Sequence, residues 1–248
     1  MAEMKKFSIK QALNYGFSQF FEHAGLIFGA MFLGLAITVG IFLAAGTVVA
    51  LILYFMTGSQ KIDLAFNMSS ESMSREAVGT YVDSLFSSLA LPAGIVVIVA
   101  LIVCSFFLYS LYLGFIRILF DIYEFNSSSV SRLFSCRPIT LQVWIVEVLY
   151  KFMTMIGFLL LFVPGLFVVA LYGFAKFALV DRGGGIFESF SYSAKLADGA
   201  KMELLAFYVT IALIMAASAI FPPLWLILYP SLLLSTVFVY KKLQEQTA

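Results

Sequence analysis

Over most of this chain apolar residues do not alternate with polar ones; they run together in blocks, separated by short polar patches. A hydrocarbon core of about 30 Å takes about 20 residues of helix, and blocks of that kind fall at roughly 26–56, 91–120, 142–162, 165–180, 203–221 and 224–240. The third and fourth are divided only by Val163-Pro164-Gly165, the fifth and sixth only by Pro222-Pro223. Proline lacks a backbone donor and stops the helix before it, so both junctions predict tight helical hairpins. The first two blocks are long enough to tilt or to project beyond the hydrocarbon, whereas the fourth and sixth are short.

Three polar patches have a different texture. After Ser8, an N-cap with Gln11 three residues on, residues 8–24 place Ile9, Ala12, Leu13, Gly16, Phe17, Phe20, Phe21 and Ala24 at helical spacing. Lys10, Asn14, Gln19 and Glu22 occupy the rest of the wheel, which predicts an amphipathic helix lying in the membrane interface. Residues 186–197 repeat the pattern, with Ile186, Phe187, Phe190, Ala194 and Ala197 against Glu188, Ser191, Lys195 and Asp198. Val130, Leu133 and Phe134 form a weaker third copy. Ala12-Leu13-Asn14-Tyr15-Gly16 and Ser189-Phe190-Ser191-Tyr192-Ser193 also share an aromatic and small residues in register. The predicted fold is therefore all-α, a single polytopic membrane bundle over 1–248. Its six transmembrane helices form three hairpins, each preceded by a cytoplasmic interfacial segment, as parallel repeats about an axis along the membrane normal.

Charge sets the orientation. Lys5, Lys6 and Lys10 precede the first block; Arg117, Arg132 and Arg137 lie at the second connection; Arg182, Lys195 and Lys201 at the fourth; Lys241 and Lys242 near the end. Cations near span ends are retained on the cytoplasmic side. The opposite side has the loop from about 57 to 90, where Lys61 and Arg75 face Asp63, Glu71, Glu76 and Asp83, and two nearly uncharged hairpin tips. Both termini are expected to be cytoplasmic. The Lys-bearing N-terminus precedes an apolar stretch far longer than a signal-peptide core, which reads as an uncleaved first span.

With 62% hydrophobic and 12% charged residues and a mean hydropathy of +1.01, lipid is the solvent for most of the chain, because a water-soluble fold of this length could not hide so much apolar surface. A net charge of +1 removes the broad basic field that nucleic acid would need. Membrane lipids are the expected partners, with other membrane proteins or self-association as the alternative. Cys104 and Cys136 are neither a CxxC pair nor a disulfide framework, and the single histidine, His23, lacks neighbours at ligand spacing. No metal, cofactor or catalytic residue is predicted. Gly183-Gly184-Gly185 lacks the Lys and Ser or Thr of a phosphate loop and reads as a turn.

The possible intramembrane polar site consists of Glu147, Lys151 and Lys176. Glu147 and Lys151 stand four apart inside the third block, in the favourable order for an intrahelical pair, where an ionised group is costly unless paired or hydrated. Three roles stay open for them: a pair turned into the bundle, a packing contact with another span, or a pathway. Lys176, near the cytoplasmic end of the fourth block, is expected to extend to the headgroups. Arg117 and Asp121 read as an interfacial anchor and its neighbour. Gly25 and Gly29 form a GxxxG step that Ala36, Gly40 and Ala44 continue, which predicts a close helix partner for the first span.

Val163-Pro164-Gly165, Phe177-Ala178-Leu179-Val180-Asp181, Glu188-Ser189 with Ser193, and Tyr240-Lys241-Lys242-Leu243 together form a pattern that resembles the bacterial YciC-like family of six-span membrane proteins. That family is similar to the membrane domain fused to some glycerophosphodiester phosphodiesterases. The resemblance covers residues 160–248 best, and the segment from Ala12-Leu13 to Phe21 agrees in character, while the first outer loop is longer than in the family. The sequence has no phosphodiesterase domain, so the resemblance implies location and topology rather than hydrolysis. The expected function is non-enzymatic organisation of lipids or membrane proteins, with transport of a small or lipophilic solute as the alternative.

Overall fold

The computed structural model describes residues 7–68, 75–135 and 137–247, without the side chains of 53, 56–92, 137 and 162. The readings of Lys5, Lys6, Glu71 and Cys136, and those of the Lys61, Asp63, Arg75, Glu76, Asp83 and Arg137 side chains, lie outside the described residues. The chain is almost entirely helical, and no strand occurs among the described residues. Its helices are α1 (Ile9–Glu22), α2 (Ala24–Met68), α3 (Arg75–Phe125), α4 (Thr140–Leu160), α5 (Phe162–Tyr172), α6 (Ala175–Arg182), α7 (Ile186–Ala197), α8 (Lys201–Ser218) and α9 (Trp225–Glu245). Six stretches are long and apolar enough to cross a membrane: Ala24–Ile52, Ala93–Phe125, Thr140–Leu160, Val163–Arg182, Lys201–Ser218 and Pro222–Glu245. In a lipid solvent every backbone polar group must be satisfied within its own segment, which is why such blocks fold as helices.

Two compact units result, Met1–Gly34 with Tyr109–Ala248, and Leu35–Leu108. In the first, Ile116, Leu119 and Phe120 of α3, Phe174, Phe177 and Leu179 around α6, and Leu234, Val237 and Tyr240 of α9 are buried. The Phe120, Phe174 and Phe177 rings all lie 5.7–6.3 Å from the Tyr240 ring. Phe152, Leu159, Leu213 and Ile220 point outward, a surface that fits hydrocarbon and not water. The excess length of the first two blocks is thereby explained: Ile27 and Ala30 of α2 and residues 113–122 of α3 carry buried core positions in this unit. In the second unit, α2 and α3 lie side by side around an apolar cleft of about 480 Å³, lined by residues such as Ala44, Val48, Ile52, Ile95, Val99 and Cys104.

The internal repetition is visible in burial. α1 buries Ala12, Gly16 and Phe20, and α7 buries Ser189, Ser193 and Ala197, the same four-residue rhythm. Ser8 caps α1 by accepting from the Gln11 N–H at 3.4 Å, and at the matching place Gly185 N–H donates to Glu188 at 3.3 Å. Helices α2, α4 and α8, which begin the three hairpins, bury their fourth and seventh residues: Ile27 and Ala30, Val143 and Val146, Leu204 and Phe207. The third copy of the preceding segment is the short 3-10 stretch Val130–Phe134, whose Leu133 is buried.

Three expectations need adjustment. The α4–α5 hairpin turns at a single extended residue, Leu161, and not at Val163-Pro164-Gly165. Pro164 sits in the first turn of α5, where a missing donor costs nothing. The fourth block is not one helix but breaks between Tyr172 and Ala175, at Gly173, where a Cβ would press on the Tyr208 hydroxyl and the Val169 carbonyl. Finally, the apolar face of α1 is directed at protein: it packs on α9, with Gly16 against Ser231 and Ser235. Lys242 Nζ donates to Gln11 at 3.1 Å, and Tyr15 stacks on Phe238 at 4.7 Å.

Candidate intramembrane polar site and its supporting clusters

Glu147 lies two turns into α4 with its side chain only 13% exposed. Its two oxygens are shared between two lysines: Oε1 is 3.6 Å from Lys151 Nζ and Oε2 is 3.5 Å from Lys176 Nζ. The break at Gly173 and Phe174 begins a new helix, α6, whose second residue is Lys176, 19% exposed. The Lys176 ammonium also donates to the Tyr112 hydroxyl of α3 at 3.2 Å and lies 5.4 Å from that ring's centroid. Lys176, expected to reach toward the headgroups, is here engaged by Glu147 and Tyr112. A buried carboxylate and a hydroxyl offer this ammonium a charge-assisted site within side-chain range. Lys151 remains the exposed member, at 71%.

The site thus joins α3, α4 and α6. Nearby, Tyr109 donates to the Val143 carbonyl at 3.5 Å and Thr140 to Ser110 at 3.3 Å, which holds α3 beside the start of α4. Chemically the arrangement is a carboxylate shared by two cations, with Lys176 its enclosed partner and Lys151 its exposed one. A buried ion left without its partner loses about 3–5 kcal/mol.

One further cluster was not assigned from the sequence, and a second was assigned only in part. Asp181, near the end of α6, accepts from Lys241 Nζ at 2.7 Å, the Tyr240 hydroxyl at 3.1 Å and Gln244 Nε2 at 3.2 Å. Lys241 simultaneously reaches Glu124 of α3 at 2.6 Å and lies 5.2 Å from the Phe120 centroid. This brings together the Phe177–Asp181 and Tyr240–Lys241 patterns that were noted only as sequence features. The available signal was that each places a charge at the end of an apolar run. Asp121, buried in α3, meets Arg132 at 3.0 Å, Arg117 at 3.6 Å and Ser128 Oγ at 3.2 Å. Arg117 also donates to the Val180 carbonyl at 3.3 Å, so the residues read as an interfacial anchor also tie α3 to the following loop and to α6.

The close helix partner expected at the small residues of the first span is not found among the described residues of this chain. A Cβ at Gly25, Gly29 or Gly40 would meet nothing within 4 Å. Close backbone approach occurs instead at Gly16, at Gly114 against Leu133, and at Gly157, where a Cβ would be 2.8 Å from Gly165 Cα. Cys104 is a buried free thiol, and His23 contacts Asn126 at 3.1 Å. Among the described residues no group of three or more His, Cys, Asp or Glu side chains could hold a metal ion. Outside the spans, burial raises the Tyr15 hydroxyl to about 12, with the Tyr123 and Glu22 side chains adding to the effect.

No family model, curated protein or solved structure matches the chain. The six apolar helices make it an integral, multi-pass membrane protein by composition and length.

Proposed function

We propose that this is a non-enzymatic protein of a bacterial inner membrane that organises lipids or other membrane proteins, with both termini on the cytoplasmic side. One observation carries the reading: Asp121, Glu147 and Asp181 are each held by at least one cation of the same bundle. Their charge is engaged in joining α3 to the 126–139 connection, α4 to α6, and α6 to α9, which is the work of a rigid platform. The order of basic and acidic connections along the sequence supports the orientation. The YciC-like resemblance supports the location, and the residues that carry it in the second half, Asp181 with Tyr240 and Lys241, are in direct contact.

Gentle extraction followed by identification of copurifying lipids and proteins tests the role. A stoichiometric lipid or protein that remains bound supports it. Accumulation of a small solute by vesicles holding the purified protein, abolished by Lys151→Met at normal abundance, would replace it with the transport reading. Reporter fusions at the two ends that register in different compartments would overturn the topology.

A further inference from the structure

The charge of the intramembrane site does not sum to zero. Glu147 supplies one negative charge against the positive charges of Lys151 and Lys176. Lys176 is enclosed, so the excess is presented by Lys151. That residue lies eleven positions into α4, about 16 Å along the axis, roughly half the hydrocarbon thickness. The same side of the helix exposes Leu141, Val148, Phe152, Met155 and Leu159, all apolar. Among the described residues, the one carboxylate that reaches Lys151 is Glu147, which is already shared with Lys176.

We propose that this face of α4 is a docking surface for a transmembrane helix of a partner protein that carries a carboxylate at matching depth. The inference rests on the organising role above and names its partner class. Charge selects this occupant. A second copy related by a two-fold axis would set Lys151 beside Lys151, and a lipid phosphate sits at the headgroups, whereas Glu147 holds the ammonium about two turns, roughly 10 Å, inside the start of α4. A carboxylate on a neighbouring helix brings the missing negative charge at the required level, where unpaired ions are costly, while its apolar neighbours pack against Val148, Phe152 and Met155.

The test uses the full-length protein, carrying a fluorescent donor at its C-terminus, in phosphatidylcholine vesicles. Acceptor-labelled leucine-rich transmembrane peptides are added with Asp, Asn or Lys at mid-span. Energy transfer should report association of the Asp peptide about tenfold stronger than that of the Asn peptide, the scale of a polar contact between membrane helices. Lys151→Met should abolish the difference. Lys151→Glu should favour the Lys peptide, a gain that misfolding cannot produce. Equal transfer with all three peptides, or an Asp preference that survives Lys151→Met, overturns the proposal. So does a Lys151-dependent transfer between two copies of the chain, or a Lys151-dependent enrichment of phosphatidylglycerol in the purified protein. If any of these occurs while a stoichiometric partner still copurifies, the organising role stands and only α4 is removed as its surface.

Discussion

Replacing Lys241 by Met isolates what one ammonium contributes at the junction of α3, α6 and α9. In the native protein it spans Glu124 at 2.6 Å and Asp181 at 2.7 Å, with little exposure of either Lys241 or Asp181. Methionine keeps the length and apolar stem, so the change removes charge and donors while leaving packing nearly intact. Asp181 would retain the Tyr240 hydroxyl and Gln244, two neutral donors for a full negative charge. Breaking a buried pair from one side costs about 3–5 kcal/mol. Glu124 is more exposed and recovers solvation when released, which places the expected loss near the lower end, about 3 kcal/mol. For a chain of this size that corresponds to about 6–12 °C in melting temperature. The neighbouring Lys242, which donates to exposed Gln11 and lies 5.5 Å from the Phe238 centroid without a carboxylate partner among the described contacts, is the control, and Lys242→Met should cost about 1 kcal/mol or less. Thermal unfolding of the purified protein in a mild detergent, followed by helical circular dichroism, measures both. Adding Asp181→Asn to Lys241→Met should recover part of the loss, because the uncompensated charge is then gone. Equal melting temperatures for the Lys241 and Lys242 variants, or strictly additive losses in the double variant, would refute the reasoning.

The same assay should rank Lys176→Met well below Lys151→Met, by about 2 kcal/mol or more, since the first strips Glu147 of its enclosed partner and the second of an exposed one. Gly16→Ala should loosen α1 from α9, because its Cβ meets Ser231 and Ser235; faster tryptic cleavage near Lys10 would reveal it. Gly29→Ala should be neutral or raise stability by up to about 1 kcal/mol through helix propensity, and a marked loss would mean that Gly29 has a close partner. Tyr15 holds its proton more tightly when folded, so its contribution is full below its ordinary value of 10 and is lost as pH rises toward about 12. Tyr15→Phe should therefore melt with a shallower decline than the wild type across that alkaline window, and parallel declines would contradict the assignment.

Helices and spans were legible because lipid enforces them: a long apolar block has one satisfactory backbone solution. The paired segments before the hairpins were legible in part: Ala12, Gly16 and Phe20 lie on the face read for α1 and are buried, whereas α7 buries Ser189, Ser193 and Leu196 with Ala197 and leaves Phe187 exposed. Turn placement was less so. Val163-Pro164-Gly165 contains the usual breakers, yet proline is equally comfortable in a first helical turn, and only the approach of Gly157 to Gly165 shows that both helices already run there. Charged contacts were the least legible. Glu147 to Lys151 is local and was readable, whereas Glu147 to Lys176 and Asp181 to Lys241 depend on how far one helix slides past another, which neither periodicity nor spacing encodes. The glycine stripe in α2 marks where a backbone could come close but not which one does, because small residues permit close approach without requiring it.

The one-residue corner at Leu161 bears on how the chain is made. Residues 152–175 and 204–240 contain no charged side chain, and the tips at Leu160–Leu161 and Ile220–Phe221 are themselves greasy and outward-facing. During biosynthesis these two pairs of helices can slide sideways from the insertion machinery as folded-over units, carrying no ionised group to the far leaflet. The first pair, whose connecting stretch includes Lys61, Asp63, Glu71, Arg75, Glu76 and Asp83, is the step at which assembly would demand active export.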